Sequence, residues 1–88
     1  MLHEALTTLS GAQVLSRAQE FFAERVPHHS AFLEQEGPGF ATFRGQGGEE
    51  IAVAVFSTPH GTRVRASTLL FGQVVDRFLS TLPSPEPG

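Results

Sequence analysis

The stretch FRGQGGEEIAVAV, residues 43–55, holds three glycines and an arginine directly ahead of an acidic pair and an apolar run. Glycines so placed suit either a phosphate-cradling loop or a tight turn between strands. A phosphate loop works because its N–H groups converge ahead of a helix whose positive end faces the anion. Here the following segment, EEIAVAVFS (49–57), alternates at period two with Ile and Val in strand spacing. Glu49 and Glu50 stand where the phosphate charge would arrive. The Lys-Ser/Thr ending of a P-loop and the spacing of a dinucleotide fingerprint are both missing. The stretch reads as a hairpin connection whose glycines accept positive φ at no steric cost.

Outward from that turn, three more segments alternate with the same period: AFLEQE (31–36), FATFR (40–44) and RVRASTL (63–69). GPG, GQGG and TPHGT separate the four, and breaks this short favour antiparallel neighbours in a meander. A helix is predicted on each side of this block. In LSGAQV (9–14), Ser10 and Gln13 have the spacing of a capping box, and Leu9 and Val14 that of its hydrophobic staple. From Gly11, the apolar residues Val14, Leu15, Ala18, Phe21, Phe22 and Val26 repeat at helical spacing, opposite Gln13, Arg17, Glu20 and Glu24. Pro27 ends this helix. Phe71, Val74, Val75, Phe78, Leu79 and Leu82 form the second stripe, with Gln73, Asp76, Arg77 and Ser80 opposite, and Pro83 stops it. The expectation is one α+β domain over 1–82, with a disordered Pro-rich tail over 83–88. Its antiparallel meander has four or five strands and carries both helices on one face, in the order (β)-α-β-β-β-β-α. LHEALTT (2–8) is open, either an edge strand or an unstructured lead-in.

That element order resembles the TATA-binding-protein-like or helix-grip layout, in which two helices pack on one face of a curved antiparallel sheet. The resemblance implies a fold and, for helix-grip proteins, an apolar ligand between the sheet and the C-terminal helix. Here bulky Phe71, Phe78 and Leu82 are expected to fill that gap themselves, in a core where a ligand void of roughly 300 Å³ would be large.

Two helices with wide apolar stripes cover one sheet face. Alternation assigns Leu33, Ala41, Phe43, Ile51, Val53, Val55, Val64 and Ala66 to it. The opposite face takes Phe32, Glu34, Phe40, Thr42, Arg44, Ala52, Ala54, Phe56, Arg63, Arg65 and Leu69. A solvated sheet face is ordinarily polar, yet this one carries three Phe, and strand 49–57 is apolar toward both sides, as a strand covered twice reads. Scattered surface apolar residues are the plain explanation. An apolar centre with an arginine-bearing rim is also the composition of a protein interface, and two-fold homodimers are its commonest form. Phe32, Phe40, Ala52, Ala54, Phe56 and Leu69 are the expected interface residues.

Composition narrows the rest. The chain has 88 residues, no Cys, and a net charge of −3 from six arginines against nine acidic residues. Without cysteine there are no disulfides, thiolate metal sites or cysteine nucleophiles. The charge argues against a nucleic-acid surface. The absence of Lys is expected of a GC-rich genome, and a bacterial source is expected. No apolar run approaches the roughly 18 residues of a membrane span, and MLHEALTTLS lacks the order of a signal peptide, so a cytoplasmic protein is expected. Neighbouring side chains of an extended segment point to opposite sides, so His28 and His29 are not expected to share a metal, His60 is expected in a turn, and no metal site is expected. No catalytic triad can be placed and no cofactor is called for. Arg44, Arg63 and Arg65 are possible anion contacts, with Glu34 as a base in an enzyme reading; cross-strand ion pairing is the competing account. The expected function is a non-enzymatic domain that self-associates or binds a protein partner through the outer face. A miniature helix-grip binder of an apolar small molecule is the alternative, and an enzyme on the Arg-rimmed face comes third.

Overall fold

A computed structural model describes residues 2–24, 31–45, 48–69 and 71–85, with the side chain of Phe32 excepted. The chain runs β1 (Leu2–Thr7), α1 (Gly11–Glu24), β2 (Phe32–Gly37), β3 (Phe40–Arg44), β4 (Glu50–Thr58), β5 (Gly61–Thr68) and α2 (Gly72–Ser80). All five strands form one antiparallel sheet in the order β1-β5-β4-β3-β2. The meander predicted from the glycine-broken alternation is β2 to β5. Residues 2–7 resolve as a strand, and β1 pairs with β5 along its whole length, from Leu2 opposite Ser67 to Thr7 opposite Thr62. No described helix is long and apolar enough to cross a membrane.

The capping box forms as its residue types dictate. Ser10 N–H donates to Gln13 Oε1 (2.9 Å), and Gln13 N–H donates to Ser10 Oγ (3.2 Å), which satisfies two N-terminal donors reciprocally. Val14, Leu15, Ala18 and Phe22 are the buried stripe of α1. The predicted helix end at Val26 and Pro27 lies outside the described residues. In α2 the buried residues are Val75, Phe78 and Leu79. Phe71 is the N-cap residue rather than a helical one, and its N–H donates to Thr68 Oγ1 (3.2 Å).

Ala41, Phe43, Ile51, Val53, Val64 and Ala66 are at most 1% exposed beneath the helices, as the pleat predicts. Phe22 stands at the centre, its ring centroid 5.1 Å from Phe43 and 5.2 Å from Phe78. One aromatic from α1, one from β3 and one from α2 thus tie both helices to the sheet. The β4–β5 turn is closed by side chains. His60 N–H donates to Thr58 Oγ1 (3.2 Å), and that hydroxyl donates to the Gly61 carbonyl (2.8 Å).

Several positions depart from simple alternation. Leu33, expected in the core, is exposed. It precedes a register shift, since Leu33 faces Phe43 but Gln35 already faces Thr42, and such a bulge bends an edge strand away. Val55 is only half-buried, at the place where α1 begins. A Cβ on Gly11 would stand 2.8 Å from Val55 Cγ2, so α1 approaches β4 at a residue without a side chain. β5 stops at Thr68, and Leu69 lies past it, 91% exposed. Pro83, placed in the tail by composition, is tied down: its carbonyl accepts from Thr8 N–H (3.2 Å) and from Thr7 Oγ1 (2.7 Å).

Candidate functional site: the outer sheet face

Gly45 N–H donates to the Glu49 carbonyl (2.8 Å) and Gly48 N–H to the Gly45 carbonyl (3.0 Å), with Gly48 at φ +91°. The glycine stretch is therefore a hairpin connection between β3 and β4, and no helix follows it. Gln46 and Gly47 lie outside the described residues.

The face turned away from the helices is read row by row across the strands. Thr42, Ala52, Ser67 and Leu2 stand side by side in one row. Phe40, Ala54, Arg65 and Glu4 form the next, and Phe56, Arg63 and Leu6 the third. Small alanines in the centre and phenylalanines beside them leave a shallow concavity of about 200 Å³, lined by Leu2, Phe40, Ala52, Ala54, Phe56 and Arg65 among others. Its floor is half-buried; Phe40 is 38% and Phe56 46% exposed. Phe40 is held in place by Gly37 across the strand pair, where a Cβ would meet the ring at 2.3 Å. The aromatic covers the glycine backbone and stiffens that edge.

Of the expected interface residues, the sheet brings Phe40, Ala52, Ala54 and Phe56 together. Phe32 is placed opposite Arg44 by backbone register, and Leu69 stands apart, beyond β5. Leu2 joins the apolar centre, which alternation alone could not foresee while β1 was unassigned.

Each of the three arginines is engaged by carboxylates of its own sheet. Arg44 donates to Glu34 through Nε and Nη2 (3.0 Å for Nη2), lies 3.4 Å from Glu50, and donates from Nη1 to the Gly48 carbonyl (2.8 Å). Glu4 is shared, with Arg63 at 3.2 Å and Arg65 at 3.0 Å. An incoming anion would compete with carboxylates already in place. The hydrogen bond from Arg44 lowers the Glu34 pKa below its ordinary 4.5, and the same contact raises that of Arg44. A depressed carboxylate contributes stability above its unfolded pKa and loses it as pH falls through the folded one. In an NMR titration the Glu34 side-chain midpoint is accordingly expected below 4.5, and Arg44→Gln is expected to move it upward. An unmoved midpoint would break the pairing.

Elsewhere, His3 Nδ1 lies 2.6 Å from Asp76 on α2, and His3 Nε2 is buried without a partner. His60 is exposed in its turn, while His28 and His29 lie outside the described residues. Among the described residues no group of three or more His, Cys, Asp or Glu side chains could hold a metal ion. Between the helices and the sheet, the Phe22 ring packs against both Phe43 and Phe78. An open groove of about 340 Å³ between the helices is lined by Arg17, Glu20, Phe21, Glu24, Phe78 and Thr81. The chain matches no family model, no curated protein and no solved structure, so the likeness to the TATA-binding-protein-like layout is one of element order.

Proposed function

We propose that this chain is a small non-enzymatic α+β domain that works by contact, taking a protein partner, a second copy included, on its outer sheet face. The observation that carries this reading is the apolar band of Leu2, Phe40, Ala52, Ala54 and Phe56 on the face the helices leave open. Such a band costs solubility unless something covers it, and apolar patches with polar rims mark protein contact sites. The pairing of Arg44, Arg63 and Arg65 supports the same reading, because a self-neutralised rim excludes water without offering a free charge to a small anion. Five strands about 4.8 Å apart and some six residues long span roughly 480 Å². Two such faces would bury about 1,000 Å², at the small end of specific interfaces.

Light scattering on a size-exclusion column tests it. The wild type is expected above the 9.5 kDa of one chain, and Phe56→Glu at a lower mass than the wild type with unchanged helical circular dichroism. Equal masses for the two would overturn the role of this face in self-association.

A further inference from the structure

The backbone of β1 offers a contact separate from the outer face. Hydrogen-bond parity shows which of its groups point away from β5. Val55 N–H donates to the Gly39 carbonyl, so odd residues of β4 turn toward β3 and even ones toward β5, because successive residues of a strand point opposite ways. Phe56 and Ala54 therefore exchange bonds with Arg63 and Arg65, which they face. The alternate residues Thr62, Val64 and Ala66 turn toward β1, where they face Thr7, Ala5 and His3. The N–H and C=O groups of Leu2, Glu4 and Leu6 are left pointing away from the sheet. Thr8, of the same parity, gives its N–H to Pro83. The chain then leaves the edge, since Pro85 lies beside Gly61, and the described tail covers none of the three.

The two edges of the sheet are not alike. β2 carries a register shift and acidic residues at 34 and 36, the usual guards against strand pairing. β1 has an uninterrupted register, no proline and no arginine, its His3 is turned to Asp76 on the helix side, and its single carboxylate is neutralised by Arg63 and Arg65.

We infer that β1 pairs antiparallel with β1 of a second copy, joining two five-stranded sheets into one of ten strands about a two-fold axis at Glu4. With the axis there, Leu2 faces Leu6 of the other copy on both sides, and all six outward N–H and C=O groups of each edge find partners. The two Glu4 carboxylates meet at the axis, a repulsive arrangement on its own, but four guanidinium groups surround them. On the opposite face α2 packs over β1 and β5. With strands about 4.8 Å apart, the two α2 axes come about 10 Å from each other, the spacing at which helices pack. Asp76 reaches His3 on β1, so it lies on the side of α2 nearest the axis. Arg77, about 100° further round the helix, is exposed and forms no ion pair among the described residues, which leaves its long side chain as the cation within reach of Asp76 of the other copy. A free peptide strand would satisfy the edge but not this helix contact.

Amide exchange reads the pairing directly. In a lone chain, Ala5 and Thr7 amides are protected while those of Glu4 and Leu6 exchange freely. In the wild type at rising concentration, Glu4 and Leu6 are expected to slow at least about tenfold. Leu6→Pro removes an outward N–H that β5 does not use, a position where edge strands accept proline, and is expected to lower the assembly mass. Amide exchange of the wild type carries the test on its own should the proline variant not fold. Edge pairing survives Phe56→Glu, whereas a face contact survives Leu6→Pro, so the two fail separately. Glu4 and Leu6 amides that exchange freely at every concentration would overturn the edge pairing, whatever Phe56→Glu does.

Discussion

Phe22→Ala is expected to cost about 3–5 kcal/mol, the range for removing a large aromatic from a core. Phe22 is fully buried, and its ring meets Phe21, Phe43 and Phe78 at centroid distances of 5.6, 5.1 and 5.2 Å. Those three neighbours come from α1, β3 and α2, so they cannot collapse into the void by moving one element. Aromatic pairs add about 0.5–1.5 kcal/mol each beyond buried area. At roughly 0.05–0.15 kcal/mol per residue, a domain of this size holds about 4–13 kcal/mol in all. The loss is therefore a large share of the total, and the melting temperature should fall by about 15 °C or more. Thermal unfolding followed by circular dichroism checks this. A fall of only a few degrees would mean that the three-ring cluster does not hold the helices to the sheet.

The parts of the fold legible in the sequence are those set by neighbours in the chain. The Ser10–Gln13 box, the three-four stripes of α1 and α2, and the period-two segments between glycines all act within a few residues; the box and the elements form, and the departures from their spacing are confined to Leu33, Val55, Leu69 and Phe71 among the described residues. β1 was ambiguous because its partner, β5, lies about sixty residues away, and LHEALT alone alternates too weakly to declare a strand. The outer face suffered from the same distance. Without β1 beside β5, nothing in the sequence brings Glu4 to Arg63 and Arg65, or Leu2 to the alanine floor. The slip between Leu33 and Gln35 has no signature either, since a bulge at Glu34 needs neither glycine nor proline. Pro83 shows the limit of composition: its ring stops a helix, but its carbonyl is a free acceptor, and Thr7 and Thr8 take it.

Val53→Asp and Ala52→Asp, one residue apart on β4, are expected to behave as opposites. Val53 is 1% exposed beneath the helices, between Ala41 on β3 and Ala66 on β5. A carboxylate there has no arginine within its row, where His3 stands two strands away and is already engaged by Asp76, and must either stay charged in an apolar core or take up a proton. Either course costs several kcal/mol, enough to unfold most molecules of a domain this small at neutral pH. Ala52 faces the other way, half-buried between Thr42 and Ser67. A carboxylate at 52 keeps access to water, so melting should change little while association through the outer face is lost. Together the two substitutions separate what folds the domain from what the domain contacts. Were Ala52→Asp to unfold the chain and Val53→Asp to leave it intact, the assignment of the two faces would be reversed, and the proposed contact surface would be the core.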